Sequence, residues 1–422
     1  MSDSSFSRRE FLIGATAATA AMLLPVQEIL AQATTTPAPA GPPVVCGVIG
    51  AGQRGREILT SVSKFPNASI AAICDSYDAA FTRAKESAPN AATLTDYKEL
   101  LGKKEIEAVF IATPSHLHKD IALAALQAGK HVYLEAPMAS SVDDSKAIHD
   151  AAVAASAQVF HVGQQLRSNP LRKQVLKFMG AGAVGNPAVA RGQWHKKDSW
   201  KRTAASPDRE KALNWRLSSQ TSAGLIGEIG LHQIDCISWY LGKLPISVSG
   251  CGGILQWKDE RDVADTAQFV FEYPNDIRVI YDATLVSSFD GNYEVIQGSD
   301  SSIYLQGQRA WMVREADSPV LGWEVYARIE PVSMEKRGIA MVADASKLLQ
   351  EGKEPGKEGL TDLGKDELHF AVEDFLGNVR KKGKPSCGAK EGHNAAVVAI
   401  KANEALTTGT KITYQKEWFD LT

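Results

Sequence analysis

The segment from Val44 to Gly55 constrains the fold more than any other part of this chain. A short apolar, β-branched run, Val-Val-Cys-Gly-Val-Ile, is followed directly by Gly-Ala-Gly-Gln-Arg-Gly and then by a helical stretch from Arg56 to Lys64. The spacing G-x-G-x-x-G between a buried strand and a helix is typical of a dinucleotide-binding turn. We therefore predict that the first domain binds a dinucleotide.

The glycines of this loop each have a physical role in binding a pyrophosphate. Gly50 permits the tight turn, Gly52 lets the backbone approach the phosphates, and Gly55 lets the helix pack on the strand. Gln53 and Arg54 lie in the same loop, just before the helix, whose free N–H groups and dipole would face the phosphates. We predict that all five residues contact the cofactor.

The next predicted strand, Ala68–Cys74, ends at Asp75, which lies 25 residues after Gly50. An acid near this spacing binds the adenosine ribose in dinucleotide folds. A carboxylate there accepts hydrogen bonds from both ribose hydroxyls and repels a 2′-phosphate. The predicted cofactor is therefore NAD rather than NADP, and the alternative is that Asp75 is only a turn or helix N-cap residue.

Strands and helices continue to alternate beyond Asp75. Predicted strands at Glu107–Thr113 and His131–Glu135 enclose a helix from about Lys119 to Ala128 that ends at Gly129. This alternation predicts a Rossmann-type α/β domain with a parallel, doubly wound sheet.

Ligands of such sheets bind at the C-terminal ends of the strands. The further candidate cofactor-binding residues at these ends are Thr113, Pro114, His116, His118, Glu135 and Pro137. We predict no metal site, because no third ligand of suitable spacing stands near the two histidines. For each histidine, a ligand-facing role and a structural role remain open.

The first thirty residues resemble a twin-arginine (Tat) export signal. Arg8 and Arg9 precede an apolar run from Ile13 to Leu24, and Ala31-Gln32-Ala33 fits a cleavage site. The run is shorter than the ~20 residues that cross a membrane. The alternative is an uncleaved anchor or a chance basic start.

We therefore predict a signal peptide over residues 1–33 and an extended Pro/Thr linker over 34–43. The Tat machinery would recognise the twin arginine, and the mature protein would be periplasmic or otherwise extracytoplasmic. No later run is apolar and long enough to span a membrane.

Charge and cysteine usage exclude two further classes of protein. A net charge of −3 gives no electrostatic reason to expect nucleic acid as a partner. The five cysteines are scattered, odd in number and without metal-ligand spacing, so they form neither a disulfide framework nor a zinc site.

Several segments together resemble the Gfo/Idh/MocA family, the glucose–fructose oxidoreductase and inositol dehydrogenase group. They are the loop at 50–55, Asp75, Thr95–Tyr97, Ile111–His118, Gly129–Pro137 and Gly227–Asp235. The likeness runs from residue 44 to about 415. Gln193-Trp194-His195 and Asn214-Trp215-Arg216 are similar to the exported, Tat-bearing branch of that family.

The resemblance implies two domains, an NAD-binding domain over 44–165 and a substrate and oligomerisation domain over 166–422. The second would be an α+β domain on a large, mostly antiparallel open sheet. Strand-like patterns at Thr266–Tyr273, Arg278–Leu285 and Tyr293–Gln297 fit that expectation. Family members usually pair through the outer face of this sheet, which implies a homo-oligomer.

A predicted helix over Glu228–Tyr240 carries the candidate catalytic residues. Glu228, His232 and Asp235 stand at i, i+4 and i+7, which places them on one helical face. The resemblance implies that His232 meets the hydroxyl that loses or gains hydride and that Glu228 supports it. Asp235 would orient His232 or bind substrate, and an imidazole can take the hydroxyl proton. The alternative is a buried histidine capped by Glu228.

Aromatic and basic residues between 194 and 216 predict a carbohydrate site. Indole faces stack on the C–H faces of pyranose rings, and Arg, Lys and His bind hydroxyls. The candidate substrate-binding residues are Trp194, His195, Lys196, Trp215 and Arg216. For Trp194 and Trp215 a core position is equally open.

One departure from the family pattern leaves the chemistry open. The family carries Glu-Lys-Pro where this chain has Glu135-Ala136-Pro137, so the lysine that approaches the reacting hydroxyl is absent. His232 could act alone, or Lys196 or Lys197 could replace the lysine.

Three functions follow from these alternatives. The first is an NAD-dependent oxidoreductase acting on a sugar or cyclic polyol. The second is a redox-neutral glycoside hydrolase that uses bound NAD on the same scaffold, and the third is a non-catalytic NAD-binding protein. Because no NAD pool exists outside the cytoplasm, we expect NAD to stay bound and to be regenerated within one catalytic cycle.

Overall fold

The computed structural model describes residues 42–204, 206–320, 329–332, 336–341 and 365–421. The predicted signal peptide and most of the predicted linker lie outside the described residues. Every helix and strand of the described part belongs to one unit, Val44–Thr422. None of these helices is both long and apolar enough to cross a membrane.

The first domain is built on a six-stranded parallel sheet. Its strands are β1 (Val44–Ile49), β2 (Ala68–Cys74), β3 (Ala92–Leu94), β4 (Ala108–Ile111), β5 (His131–Leu134) and β6 (Phe160–Val162). They lie in the order β3-β2-β1-β4-β5-β6, which confirms the doubly wound parallel sheet. The strand order reverses between β1 and β4, where such folds bind their ligands.

Helices cover both faces of this sheet. They are α1 (Gln53–Val62), α2 (Ala80–Ala84), α3 (Tyr97–Gly102), α4 (His118–Gln127) and α5 (Val142–Ala154). Neighbouring strand residues point to opposite cores, because side chains alternate along a strand: Val48 and Phe110 enter one core, and Ile49 and Ile111 enter the other. Burial on both faces explains why β1 and β4 are almost entirely apolar.

The second domain is built on a ten-stranded mixed sheet. Its strands are β7 (Pro187–His195), β8 (Ser247–Gly253), β9 (Thr266–Glu272), β10 (Arg278–Thr284), β11 (Asn292–Gly298), β12 (Ser301–Gln306), β13 (Arg309–Arg314), β14 (Ile329–Pro331), β15 (Arg337–Met341) and β16 (Ile412–Thr413). The order is β14-β15-β13-β12-β11-β7-β10-β9-β8-β16. Among the described pairs only β7 and β10 run parallel, so the predicted mostly antiparallel sheet is confirmed.

Helices pack on one face of the second sheet, called the inner face below. They are α6 (Pro170–Gly180), α8 (Leu231–Leu241) and α10 (Ala389–Thr408), whose residues contribute to its core. Phe269 and Tyr281 of the sheet pack there with Val175 of α6 and Ile237 of α8. The second half of the chain also contains α7 (Pro207–Leu213) and α9 (Glu367–Lys381), which contribute no residue to this core.

Helix α9 does not pack where chain order would place it. Its residues Leu368, Val372 and Phe375 join the core of the first domain, with the Phe375 ring 5.1 Å from Phe110. An amphipathic helix packs wherever an apolar face remains uncovered. The domain boundary predicted at residue 165 divides the chain by sequence. Helix α9 comes after this boundary in the chain but packs in the first domain.

Candidate active site

The glycine loop leaves an open space at the start of α1. Gly50 has φ +97°, and a Cβ on it would lie 2.7 Å from the Ala112 carbonyl oxygen. A Cβ on Gly55 would lie 1.8 Å from the Gly50 oxygen, so α1 and β1 pack as the sequence predicts. A Cβ on Gly52 would meet nothing within 4 Å. The space beside Gly52 therefore fits a pyrophosphate held by the N-terminus of α1.

Asp75 joins this loop to the end of β2. Its Oδ2 accepts a hydrogen bond from the Ala51 N–H at 2.8 Å, and its Oδ1 accepts one from the Tyr77 N–H at 2.9 Å. Each carboxylate oxygen has a second lone pair for a ribose hydroxyl. The residues present thus fit NAD. Asp75 stabilises the turn, and its role in binding the ribose stays a prediction.

His118 holds together the ends of β4 and β5. Its Nε2 lies 2.9 Å from the Thr113 oxygen and its Nδ1 lies 2.9 Å from the Pro137 oxygen. Burial lowers the pKa of His118 to about 4, so the ring is neutral and donates to only one of these oxygens. His118 therefore hydrogen-bonds one of the two loops and packs against the other. Both of its ring nitrogens face backbone oxygens and not a ligand, which favours the structural role left open by the sequence.

Arg54 and Glu135 form an ion pair within the candidate cofactor site. The Nε of Arg54 donates to Oε1 of Glu135 at 2.9 Å, and a second nitrogen donates to the exposed Glu57 at 2.9 Å. Burial raises the pKa of Glu135, and the Arg54 cation opposes that rise. The guanidinium is therefore held at the end of β5.

The predicted helix over Glu228–Tyr240 is interrupted near its start. Ile226–Gly230 form a π-helical turn, and the regular helix α8 begins only at Leu231. A Cβ on Gly230 would lie 2.6 Å from Ile226 and 2.7 Å from the Tyr281 ring, so this turn presses closely on the sheet. The expectation that Glu228 continues one α-helical face is corrected, because a π turn changes the spacing of its side chains.

Glu228 is buried among polar groups from both domains. Ser115, at the end of β4, donates its hydroxyl to Oε1 at 3.2 Å, and Ser222 donates to the same oxygen at 3.3 Å. Arg216 Nε lies 3.4 Å from Oε2. Burial raises the pKa of Glu228, and the Arg216 cation opposes this.

His232 lies in the first turn of α8. Burial lowers its pKa to about 4, and the Arg54 cation contributes to the same effect. Its side chain forms no hydrogen bond within the part of the chain that the structure describes. The preceding residue, Leu231, belongs to a small apolar cluster against which Ala136, the position of the missing lysine, packs. A neutral imidazole is thus available as a proton acceptor beside the end of β5.

Asp235 does not orient His232. Both of its carboxylate oxygens accept hydrogen bonds from Arg167, at 2.7 and 2.8 Å, and the Arg167 guanidinium lies 5.2 Å from the centre of the Trp239 ring. The prediction that Asp235 orients His232 fails because the Asp235 carboxylate is bound by Arg167, which lies 68 residues earlier in the chain.

Two of the predicted substrate residues reach the site. The Trp215 ring lies 6.2 Å from the His116 ring, and the Arg216 guanidinium lies 4.3 Å from the Trp215 ring. Trp194 is half-buried against the core on the inner face of the sheet.

His195 and Lys196 are not brought to the site. His195 follows Trp194 in β7 and therefore points to the opposite, outer face, where its Nε2 lies 2.9 Å from Asp282. The exposed Lys196 is fixed by its backbone N–H, which donates to the Thr284 oxygen. Their prediction as substrate ligands is therefore not supported by their placement.

Three residues of this site were not predicted. Ser115 lies within the segment Ile111–His118 that resembles the family, so its presence in the site could have been predicted from the sequence. Ser222 and Arg167 carry no such signal, because their partners lie on other elements. Among the described residues, no group of three or more His, Cys, Asp or Glu side chains could hold a metal ion.

Comparisons with known families agree with this architecture. Residues 44–164 match the model of the GFO_IDH_MocA oxidoreductase family with an NAD-binding Rossmann fold. Residues 173–304 match the GFO/IDH/MocA C-terminal domain. The two models together cover more than half of the chain.

Curated relatives with similar sequences include two dehydrogenases. The scyllo-inositol 2-dehydrogenase (NAD(+)) of Bacillus subtilis is 26% identical over 270 residues, which are 62% of this chain and 73% of that protein. The levoglucosan dehydrogenase of Pseudarthrobacter phenanthrenivorans is 34% identical over 150 residues, which are 35% of this chain and only 36% of that protein.

A third relative carries a different name. A glycosyl hydrolase family 109 protein of Shewanella baltica is 32% identical over 167 residues, which are 34% of this chain and 36% of that protein. Among solved structures, levoglucosan dehydrogenase in complex with NADH superposes with a TM-score of 0.71 at 21% identity. The match covers 88% of this chain and 99% of that one, and it supports the fold alone.

Proposed function

The chain belongs to the Gfo/Idh/MocA family of NAD-dependent oxidoreductases, and from this premise we propose that it oxidises or reduces a hydroxyl group of a sugar or cyclic polyol. The relatives named for levoglucosan and scyllo-inositol support this class of substrate. The observation that carries the proposal is the position of His232 near Arg54, whose guanidinium is paired with Glu135 at the end of β5.

His232 is the residue we assign to proton transfer. Because its pKa is about 4, it is neutral at physiological pH and can accept the hydroxyl proton. Bound NAD would supply the hydride acceptor. Glu228, buried and hydrogen-bonded by Ser115 and Ser222, would hold the substrate or His232 in place.

Substrate binding would use the residues at the opposite side of this site. Trp215 offers an aromatic ring for the C–H face of a sugar, and Arg216 offers guanidinium donors for its hydroxyls. The Trp215 ring lies near His116, at the end of β4, where the nicotinamide would be held by Thr113 and Pro114.

We further propose that the protein is exported and retains its cofactor. Arg8, Arg9 and the Ala-Gln-Ala site support export through the Tat machinery to the periplasm or an equivalent compartment. An NADH released there would not be replaced, so a sustained reaction requires reoxidation on the protein. A second sugar that takes the hydride back would meet this requirement.

The test uses the full chain purified without added cofactor. We expect a native mass spectrum to contain one NAD per subunit, and we expect a panel of free sugars to yield paired oxidised and reduced products without added NAD. A protein that is free of NAD and turns over only with added NAD would overturn retention. A protein that binds no NAD at all would overturn the oxidoreductase proposal itself.

A redox-neutral glycoside hydrolase is the second candidate. Ala136 offers no donor, no charge and no proton, and the relative named glycosyl hydrolase family 109 protein supports glycoside hydrolysis by a related sequence. Transient oxidation of a ring hydroxyl acidifies the neighbouring C–H bond, so a modest base such as His232 can drive elimination of the aglycone. Release of nitrophenol from aryl glycosides by the NAD-loaded chain would favour this candidate. Bound NAD with no turnover on either panel would favour the non-catalytic alternative.

We also propose that the protein forms a homo-oligomer through the outer face of the ten-stranded sheet. A row of neighbouring positions on this face contains Val270, Ile280, Val295 and Tyr304, interrupted by Arg191. Val270 is 43% exposed, and apolar side chains in such a row favour burial against a second copy. The same native mass spectrum measures the subunit count, and a monomer would contradict the proposal.

A further inference from the structure

The second domain contacts the first at both ends of the candidate cofactor site through one short segment. This segment, residues 207–216, is called the strap and consists of α7 (Pro207–Leu213) and the start of the following turn. At one end the Arg209 guanidinium lies 4.1 Å from the centre of the Tyr77 ring. At the other end the Trp215 ring lies 6.2 Å from His116.

These two contacts coincide with the two ends of a dinucleotide. Tyr77 follows the predicted ribose-binding Asp75 by two residues, and its N–H donates to that carboxylate. His116 follows Thr113 at the end of β4, where a nicotinamide binds in folds of this class. The strap therefore spans the site from its adenosine end to its nicotinamide end.

Arg209 also has an unused donor. Its Nε is buried and has no hydrogen-bond acceptor among the residues that the structure describes. Buried guanidinium donors are normally satisfied, so the unsatisfied Nε indicates that this end of the strap lacks an acceptor. Residue Tyr77 is 39% exposed, so Arg209 leaves a substantial part of it uncovered.

Resting on the proposed NAD-binding function, we propose that the strap closes over bound NAD and that the Arg209–Tyr77 contact slows its release. The strap belongs to the second domain while Tyr77 and His116 belong to the first. A dinucleotide bound between these two contacts would be bridged by the strap at both ends. This assigns retention of the cofactor to residues that lie outside the glycine loop.

The experiment measures the rate at which bound NADH leaves the full-length protein. The protein is loaded with NADH and chased with excess NAD, and the decay of NADH fluorescence is followed. Arg209→Met removes the cation but keeps much of the side chain's length. Lys211→Met is the matched control, because it removes an exposed cation from the same helix.

We expect Arg209→Met to speed release roughly two- to fivefold, the range that a cation–π contact supports. Lys211→Met is expected to leave the rate unchanged. In a Tyr77→Leu background the Arg209→Met change should have no further effect, because the partner is already absent. Equal urea midpoints for the variants establish that all are folded, and Tyr77→Leu alone tests the contact if Arg209→Met does not fold.

The outcomes separate the two proposals. If the wild-type chain binds no NADH, the proposed function fails and the strap proposal fails with it. If NADH binds and the Arg209 and Lys211 variants release it at the same rate, only the strap proposal is overturned. Independent, additive effects of Arg209→Met and Tyr77→Leu would also overturn it.

Discussion

Arg54 donates from Nε to Oε1 of Glu135 over 2.9 Å, and this ion pair joins the glycine loop to the end of β5 above the intervening strand β4. The pair fixes a cation on the side of the site where His232 lies, since Arg54 contributes to the lowered pKa of that histidine. Ala136 follows Glu135 directly. The ion pair therefore places the Arg54 cation beside the position of the missing lysine.

Replacing Glu135 by Gln should lower the free energy of unfolding by roughly 1–3 kcal/mol, because the largely buried guanidinium loses its charged partner. Urea denaturation measures this change. Glu57→Gln is the matched control, since Glu57 is the second carboxylate on Arg54 and its side chain is 45% exposed. It should cost less than about 1 kcal/mol. Equal costs for both variants would contradict a structural role specific to Glu135.

Replacing His232 by Asn should reduce turnover on the true substrate by roughly 10²- to 10⁴-fold, the usual contribution of a general base. The NAD content of the purified protein should stay the same, because His232 is not part of the nucleotide cradle. His195→Asn provides the comparison, since His195 lies on the outer face with Asp282. A similar loss of turnover in both variants would argue against the assignment of the base.

Stability should fall as the pH is lowered from about 6.5 to 4. Burial lowers the pKa of His118, His161 and His232 from 6.5 to about 4 in the folded chain. The unfolded chain binds protons in this interval and the folded chain does not, so stability is complete above pH 6.5 and is lost toward pH 4. Each histidine contributes at most roughly 3 kcal/mol.

Urea midpoints at pH 7, 6, 5 and 4.5 measure this dependence. His118→Asn should make the slope shallower, because one of the three groups no longer titrates. For each protein, wild type or variant, the free energy of unfolding at pH 7 serves as its own reference. A free energy of unfolding that stays constant over this interval would rule out neutral buried histidines.

Replacing Ala136 by Lys should raise the oxidation of free sugars roughly tenfold or more, because an ammonium beside His232 can donate to the reacting hydroxyl. Its alkyl stem can lie along Leu231, Ala395 and Ala399, against which Ala136 now packs. Ala136→Met is the control of similar length without charge. An equal gain with Met would attribute the effect to packing, and no gain with Lys would indicate that the chemistry no longer uses this position.

The local parts of the site could be predicted because their residues are close in sequence. The loop at 50–55, the strand before it and Asp75 form one βαβ unit, and each fits the structure. The second sheet could be predicted from alternation, and β9, β10 and β11 begin and end within a residue of the predicted limits.

The contacts that complete the site could not be predicted, because they join distant segments. Asp235 pairs with Arg167 across 68 residues, and Ser115 reaches Glu228 across 113. The orientation of His195 could have been predicted. Ala190, Gly192 and Trp194 alternate along β7 and lie on the inner face, so the next residue, His195, faces outward. A single π turn produces no repeating sequence pattern, so the one at Glu228 could not be predicted.

The packing of α9 has a consequence for biogenesis. Its residues Leu368 and Phe375 complete the core around β1 and β4, although more than 250 residues separate them in the chain. The nucleotide-binding domain therefore cannot reach its final state on the ribosome before α9 has been translated. Cofactor loading into the completed domain would follow the synthesis of α9. A translocase that accepts only folded cargo suits such a chain, whereas one that threads it during synthesis would separate α9 from its partners.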